Sequence, residues 1–441
     1  MLDAEVCRRH AAAAARPRFR GRVEVVAGVI VEAGGVPAAM GELCRIDRGP
    51  LGPVAAEVVG FRGARTLLMP HGELEGIAPR QPVTGLGRPF TVPVGPGLLG
   101  RLVNGFGAPL DGGPPIPAAG PDGRRRVRAE APPPLVRPPI DEPLQTGVRA
   151  IDGLCTLGRG QRLGIFAGSG VGKSSLLGQI ARGTDAGVIV VALVGERGRE
   201  VRGFLEDVLG EAGRSKAVTV AATSDRSPIE RFLAPFVAVT YAEAFRDGGA
   251  DVLLVMDSVT RFAAAAREIG LAAGEPPTLR GFPPSFFATV PKLVERMGRT
   301  EAGSITALLT VLLDGDDPNE PVADTLRGLL DGHLFLSRDL AHRGHFPAID
   351  ALASLSRLME AVTSEEHRAV ARLVREDLAV WKEGRDLVEI GAYRSGTNPR
   401  LDQALERIDR VQAFLRQGAG ERADFEDTLR ALAGVFGGGA E

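Results

Sequence analysis

A short glycine-rich segment, AGSGVGKSS at residues 167–175, separates an apolar run from a helical pattern. The run before it, RLGIF, is fit for a buried strand, and SLLGQIARG after it has apolar residues at helical spacing. Glycines in such a loop let successive backbone N–H groups point inward at an anion, and the helix that begins near Ser174 adds its positive dipole end. The order of strand, glycine loop and helix therefore predicts a phosphate-binding loop.

The residues of this loop have the types that nucleotide binding requires. Lys173 would reach the β- and γ-phosphate oxygens, and the Ser174 hydroxyl would bind Mg²⁺. The first position is Ala167 where the strict pattern has Gly, a departure that the broader Walker A pattern accepts. The predicted nucleotide contacts are Ala167, Gly168, Ser169, Gly170, Val171, Gly172, Lys173, Ser174 and Ser175. A chance glycine-rich turn is the alternative interpretation.

Two other apolar strands end in carboxylates, which hydrolysis needs in addition to binding. DVLLVMD, Asp251 to Asp257, has the form of a Walker B strand, whose final aspartate binds the Mg²⁺ shell. VALVGERGREV ends a second strand in Glu196, followed by Arg197. A carboxylate at this place would orient and polarise the attacking water, and the guanidinium would sense the γ-phosphate. A surface ion pair is the alternative for these two neighbours.

Changes in composition and residue pattern divide the 441-residue chain into four parts. Residues 1–20 are an Ala/Arg-rich extension, and 21–87 have short Val-rich runs separated by glycines, which predicts a small β-barrel. Residues 88–359 begin with an irregular surface connection that contains the charge run Arg124 to Arg128. Strands then alternate with helices, which indicates a mostly parallel α/β sheet. Residues 360–441 are expected to form a helical domain, because TSEE starts a capping box and apolar residues follow at helical spacing.

Charge and composition narrow the class of protein. A net charge of -2 gives no general electrostatic drive toward nucleic acid or anionic lipid. The three cysteines are odd in number and lack CxxC spacing, so neither a disulfide framework nor a zinc site is indicated. No uninterrupted apolar stretch approaches the roughly 20 residues of a membrane span. We expect a cytoplasmic protein that docks peripherally at the inner face of the cytoplasmic membrane through partners.

Long segments spread over nearly the whole chain resemble one known family. They are GIFAGSGVGKSSLLGQIAR, VGERGREVRGFLED, MDSVTRFAAAAREIGLAAGEPPTLRGFPPS, GSITALLTVLLDGDDPNEPVAD, LDGHLFLSR and FPAIDALASLSR. In this order they look like the flagellum-specific and virulence-type type III secretion ATPases, relatives of the catalytic β subunit of rotary ATP synthases. The resemblance implies an amino-terminal β-barrel, a RecA-like P-loop ATPase core, a helical carboxyl-terminal domain and a homohexameric ring.

The resemblance also implies residue roles. It makes Lys173 and Ser174 the phosphate and Mg²⁺ residues, Glu196 the catalytic glutamate and Asp257 the Walker B acid, and it makes Arg357 an arginine finger that reaches the neighbouring subunit's site. Two aromatic side chains are candidates for packing against adenine, Phe346 and Tyr393, and either could instead be core. Further neighbours of the γ-phosphate or the metal would be Arg197 and Arg261. The corresponding loop of relatives, here Gly270 to Pro284, lines the ring's centre and meets a central stalk protein.

The expected function is ATP hydrolysis, with Mg²⁺ as cofactor, that energises flagellar protein export. The expected partners are a central stalk protein, a peripheral regulator, export chaperones and the membrane export gate, and no nucleic acid. The ATPase of a virulence-type secretion system remains the alternative. An ATP synthase β-type subunit and an RNA-translocating hexamer are more remote. A non-catalytic α-type subunit is disfavoured by Glu196, and an RNA motor by a barrel without Lys, Tyr or Trp for base stacking.

Overall fold

The computed structural model describes residues 20–119, 123–317 and 319–437. Its amino-terminal part is a closed barrel of six antiparallel strands in the order β1-β2-β5-β4-β3-β6, in which β6 pairs back onto β1. The strands are β1 Arg20–Ala27, β2 Ile30–Gly34, β3 Glu42–Asp47, β4 Pro53–Arg62, β5 Arg65–Pro70 and β6 Pro82–Pro89. Alternate residues of these strands, such as Cys44 and Ile46, point into the barrel's own core, as a sheet with one wet face requires.

The central part is one nine-stranded sheet. Its strands are β8 Leu102–Asn104, β12 Arg162–Ala167, β13 Val188–Val194, β14 Ala217–Ala222, β15 Asp251–Asp257, β16 Gly298–Arg299, β17 Ser304–Leu312, β18 Gly332–Leu336 and β19 Leu355–Ser356. They lie in the order β19-β18-β12-β17-β15-β13-β14-β8, with β16 beside β17. All pairs are parallel except those that β16 and β19 make. The carboxyl ends of the parallel strands therefore meet at one edge.

Two smaller antiparallel pairs flank this sheet. They are β7 Thr91–Pro93 with β9 Arg124–Arg126, and β10 Pro143–Leu144 with β11 Leu157–Gly158.

Helices cover both faces of the central sheet and build the carboxyl-terminal part. They are α1 Arg149–Leu154, α2 Lys173–Gly183, α3 Gly198–Gly203, α4 Gly210–Ser215, α5 Pro228–Arg246, α6 Val259–Ala273, α7 Pro284–Val294, α8 Pro321–Leu329, α9 Arg338–His342, α10 Met359–Val362, α11 Glu365–Glu389, α12 Pro399–Leu415 and α13 Phe425–Gly434. A π-helical segment, Phe204–Leu209, joins α3 to α4.

Burial explains why the central strands are uninterrupted apolar runs. In β13 every residue is buried, and successive side chains face opposite cores: Val190 joins the core beneath α5 and α6, whereas Val191 joins the core beneath α1 and α2. Residues of α11 to α13, including Val374 and Phe414, pack into the same core as α2. The carboxyl-terminal helices are thus anchored beside the helix that follows the glycine loop.

The predicted architecture is confirmed, with a mostly parallel α/β core that follows an amino-terminal barrel and precedes a helical carboxyl-terminal part. The barrel strands run from Arg20 to Pro89, against the expected range 21–87. Most of the expected extension 1–20 lies outside the described residues. No helix among the described residues is long and apolar enough to cross a membrane.

The run Arg124 to Arg128 lies at the surface, as expected, with Arg124, Arg126 and Arg128 exposed, but the expectation that it is irregular is wrong. Arg124–Arg126 is strand β9, and two arginines of the run, Arg125 and Arg128, form ion pairs. Arg125 pairs with Asp247 at 2.5 Å, and Arg128 reaches buried Glu57 of the barrel at 3.1 Å while its guanidinium lies 5.3 Å from the Phe232 ring centre. Composition alone does not show that these acids, distant in sequence, lie within reach.

Candidate active site

The glycine loop joins the end of β12 to the start of α2. Gly170 and Gly172 have φ of 81° and 92°, left-handed values that favour glycine, and Gly172 is the residue before the first turn of α2. Helix α2 begins at Lys173 itself, one residue before the predicted start. Because the first N–H groups of a helix have no partner within it, this end of α2 presents donors to an anion.

Lys173 and Asp257 contact each other across this edge of the sheet. The Lys173 Nζ lies 2.5 Å from Asp257 Oδ1, and only 12% and 5% of the two side chains are exposed. The Thr310 hydroxyl of β17 donates to the same oxygen at 2.8 Å. The register of the sheet causes this meeting, since β17 lies between β12 and β15. Sequence reasoning missed Thr310, whose polar side chain within an apolar strand is the signal that could have found it.

Glu196 follows β13 and shares a cavity of about 180 Å³ with Ser174 and Asp257. Burial, together with a hydrogen bond to Glu200 and the negative charge of Asp257, raises the pKa of Glu196 to about 7, although Lys173 opposes the shift. The pKa of Glu200 is lowered, mainly because its carboxylate accepts the hydrogen bond from Glu196. A carboxyl group that titrates near neutral pH beside a phosphate loop is suited to act as a general base.

Glu200 also lines this cavity and was not among the predicted site residues. Its spacing of four residues from Glu196, which on a helix places side chains on one face, was the available signal.

The two predicted accessory arginines have different surroundings. Arg197 has 68% of its side chain exposed and pairs at 3.6 Å with Glu200, not with its neighbour Glu196. Arg261 packs close to the loop before Glu196, because a Cβ atom added at Gly195 would lie 2.7 Å from the Arg261 Cβ. Arg261 therefore lies beside the loop that carries Glu196, whereas the Arg197 side chain is mostly exposed.

A second cavity, of about 550 Å³, opens on the other side of the glycine loop. Gly172, Ser175 and Phe346 line it, and the Phe346 ring is so near the loop that a Cβ atom added at Gly172 would lie 3.2 Å from Cε1. The opposite wall is the turn that follows α12, including Gly418 and Ala419. Phe346 is 44% exposed, so its ring is open to a ligand in this cavity. A flat aromatic group fits beside such a ring.

Tyr393 is not brought to this cavity. Its hydroxyl donates to Asn398 O at 3.0 Å and to Asp402 Oδ1 at 2.9 Å, in the turn between α11 and α12. The cavity wall from the carboxyl-terminal part consists instead of residues 416–419. Of the two aromatic candidates, Phe346 lines this cavity and Tyr393 does not.

Arg357 follows β19 at the far edge of the sheet and is exposed. Its guanidinium donates to Arg327 O at 3.4 Å, and the residue lines neither the Glu196 cavity nor the Phe346 cavity. The other predicted contact surface, Gly270 to Pro284, comprises the end of α6, the connection to α7 and the first residue of α7. Its Leu279 is 63% exposed, while Arg280 pairs with Asp317 at 3.3 Å.

Known protein families match both the core and the helical part of this chain. The model of the ATP synthase alpha/beta family, nucleotide-binding domain, matches residues 147–356. The model of the T3SS EscN ATPase C-terminal domain matches residues 363–434.

Relatives match over nearly the full length. A type 3 secretion system ATPase of Xanthomonas euvesicatoria is 50% identical, over 95% of this chain and 94% of the relative. A flagellum-specific ATP synthase of Salmonella typhimurium is 51% identical, over 95% of this chain and 94% of the relative.

Among solved structures, the assembled ATPase EscN from the type III secretion system of enteropathogenic E. coli superposes with a TM-score of 0.89 at 44% identity, covering 94% of this chain and 99% of EscN. EscN in complex with its central stalk EscO gives 0.86 at the same identity and coverage. The chain therefore belongs to the family of type III secretion ATPases and flagellum-specific ATP synthases, and it is an ATPase.

Proposed function

We propose that this ATPase is the homohexameric motor of flagellar type III protein export. One observation carries the site assignment: Lys173, Asp257 and Glu196, from three separate segments, meet at one sheet edge, whereas Arg357 lines neither cavity there. In the proposal Lys173 binds the β- and γ-phosphates of ATP, and Arg357 of one subunit completes the site of the next. An arginine supplied by a neighbour makes activity depend on assembly.

Mg²⁺ fits the oxygen donors at this edge. The Ser174 hydroxyl and the Asp257 carboxylate line the same cavity, and hydroxyl and carboxylate oxygens are ligands that Mg²⁺ prefers. The described residues, 20–119, 123–317 and 319–437, contain no cluster of three or more His, Cys, Asp or Glu side chains that could hold a metal ion without other ligands. Phosphate oxygens and water would therefore complete the shell, and the ion would supply positive charge against the phosphates.

The protein's own groups divide the remaining work. Glu196, in its ionised form, accepts a proton from the attacking water, and its pKa of about 7 keeps an ionised fraction available near neutral pH. The start of α2 and the loop N–H groups hold the phosphates in place. The Phe346 ring provides a surface for the adenine base.

We propose four kinds of partner for this ATPase. The exposed turn with Leu279 meets a central stalk protein, as the resemblance implies, and a relative has been solved with its stalk EscO. A peripheral regulator, export chaperones and the export gate complete the machinery, which holds the ATPase at the inner face of the cytoplasmic membrane. Nucleic acid has no part in this function.

A relative from virulence secretion at 50% identity, beside a flagellar one at 51%, makes the virulence-type system the second candidate. Expression of the chain in a flagellated host that lacks its own export ATPase tests the choice. We expect swimming to return with the wild-type chain and not with Glu196→Gln. Restored effector secretion in an injectisome mutant, without restored swimming, would favour the second candidate, and a purified chain without ATPase activity would contradict both.

A further inference from the structure

Gln417, a buried residue, helps to hold the turn after α12 that forms one wall of the Phe346 cavity. Gln417 is 4% exposed, although it is a polar residue in a turn at the surface of the chain. Its backbone N–H donates to Phe346 O at 2.9 Å. The two sides of the cavity, the aromatic ring and the carboxyl-terminal turn, are therefore joined directly at Gln417.

Both the oxygen and the nitrogen of the Gln417 side-chain amide form hydrogen bonds. Its Oε1 accepts from the Arg149 backbone N–H at 2.8 Å. Its Nε2 donates to Gly147 O at 2.8 Å and to Glu421 O at 3.1 Å. Because an N–H group faces one end and two carbonyl oxygens face the other, the orientation of the amide follows from its partners. One residue thus links three segments: the Gln417 side chain reaches the start of α1 and the turn itself, and its backbone N–H reaches the Phe346 segment.

Helix α2, which begins at the phosphate loop, holds the same turn from the other side. Gln179 Nε2 donates to Gly418 O and to Glu421 O, each at 3.3 Å, and Arg182 Nη2 donates to Ala419 O at 2.7 Å. Three carbonyl oxygens of the turn, those of Gly418, Ala419 and Glu421, thus accept bonds from side chains of the protein, so the turn is held in place without a ligand. Its distance from the phosphate loop is then set by these bonds.

We propose that Gln417 is a positioning residue for the nucleotide base. It fixes the turn 417–421 against Phe346 so that the base enters a preformed slot, and it makes no contribution to phosphate binding. The proposal rests on the proposed nucleotide site at the glycine loop. The cavity that Gly172 and Ser175 line is distinct from the one that Ser174 and Glu196 line, so a change at the base slot need not alter the residues that hold phosphate. A preformed wall reduces the loss of conformational entropy that accompanies binding of the base.

Binding of ATP compared with binding of inorganic tripolyphosphate, which has no base, tests this division. Two variants are informative. Gln417→Ala removes all side-chain bonds, whereas Gln417→Glu keeps the size and the acceptor for Arg149 but places a carboxylate oxygen against two carbonyl oxygens. Gln403→Ala, an exposed glutamine on α12, is the matched control. Calorimetry gives both dissociation constants, and steady-state kinetics separates KM from kcat.

We expect both Gln417 variants to weaken ATP binding by about tenfold, the order of one or two lost hydrogen bonds, while tripolyphosphate binding stays within about twofold. KM for ATP should rise with kcat retained, and Gln403→Ala should behave as the wild type. Equal weakening of both ligands, or unchanged ATP affinity, would overturn the proposal. A wild-type chain that binds neither ligand would contradict the proposed nucleotide site instead. If the Gln417 variants do not fold, Gln179→Ala is the test, with the same selective loss expected.

Discussion

The Lys173 ammonium and the Asp257 carboxylate lie 2.5 Å apart, although one residue begins helix α2 and the other ends strand β15. Thr310 donates to the same carboxylate oxygen, so the pair is both charge-balanced and hydrogen-bonded in a largely buried place. A phosphate group that binds Lys173 must share the cation with Asp257 or take it over. The strength of nucleotide binding thus depends on two residues that are far apart in sequence.

Replacement of Lys173 by Ala should remove nucleotide binding. No residue that lines the Glu196 cavity carries a positive charge that could replace the ammonium, and we expect the affinity for ATP to fall by roughly 100-fold or more, about 2.7 kcal/mol. Equilibrium binding of a fluorescent ATP analogue measures this loss. Lys292→Ala, which changes an exposed lysine, is the control. Near-normal affinity in Lys173→Ala would contradict the phosphate-loop assignment.

Glu196→Gln should separate binding from hydrolysis. The variant keeps the size of the side chain and removes the base, so ATP should bind with near wild-type affinity while turnover falls by about 10² to 10⁴. Single-turnover hydrolysis and nucleotide binding on the same preparation provide the two measurements. If turnover is unchanged, another carboxylate activates the water, and Glu200 is the first to be examined because it lines the same cavity.

The acid side of the pH profile should report Glu196. Its pKa is raised to about 7, chiefly by burial, and the base must be ionised, so kcat/KM should decline as the pH falls below about 7. Glu200→Gln removes a negative charge that raises this pKa. We therefore expect the variant's decline to move to lower pH, yet to stay above the ordinary glutamate value, since burial persists. A wild-type profile that declines only near that ordinary value would show that Glu196 is not the titrating base.

Arg357→Ala should bind ATP and assemble while it loses most turnover. An arginine finger supplied in trans is worth about 10³ to 10⁵ in rate. Specific activity of the wild type should also rise with protein concentration, because isolated subunits lack this charge. Dilution series and native mass spectrometry measure activity and assembly together.

A mixture of Arg357→Ala with Lys173→Ala gives the decisive control for that prediction. Mixed assemblies contain some interfaces where an intact loop faces an intact arginine, so activity should partly return. A mixture that co-assembles and stays inactive excludes action across the interface.

Local signals account for the parts of the site that the sequence predicted. The glycine loop, Asp257 and Glu196 each follow an apolar strand directly, and parallel strands bring their ends to one edge. Thr310 has no such signal, because it lies inside a strand and meets Asp257 only through the pairing of β15 with β17.

The carboxyl-terminal wall of the base cavity was beyond sequence reasoning for a similar reason. Gln417 bonds to Arg149 across a separation of 268 residues, which no periodicity reveals. The resemblance made Tyr393, just after α11, a second candidate for contact with adenine, but its hydroxyl donates to Asp402. Fold class followed from strand and helix patterns, whereas packing between distant segments decided which side chains reach the ligand.

Closure of the amino-terminal barrel limits how that domain can associate. Because β6 pairs with β1 through Arg20 to Arg22, the barrel closes and none of its six described strands is an edge strand along its whole length, which disfavours extension of the barrel by a strand of a neighbouring chain. The central sheet ends in β8 and β19, of only 3 and 2 residues, which are poor templates for the same process. Runaway strand addition is thereby blocked at both places. A substitution that opened the seam between β1 and β6 would remove that protection and turn a well-folded surface into a seed for aggregation.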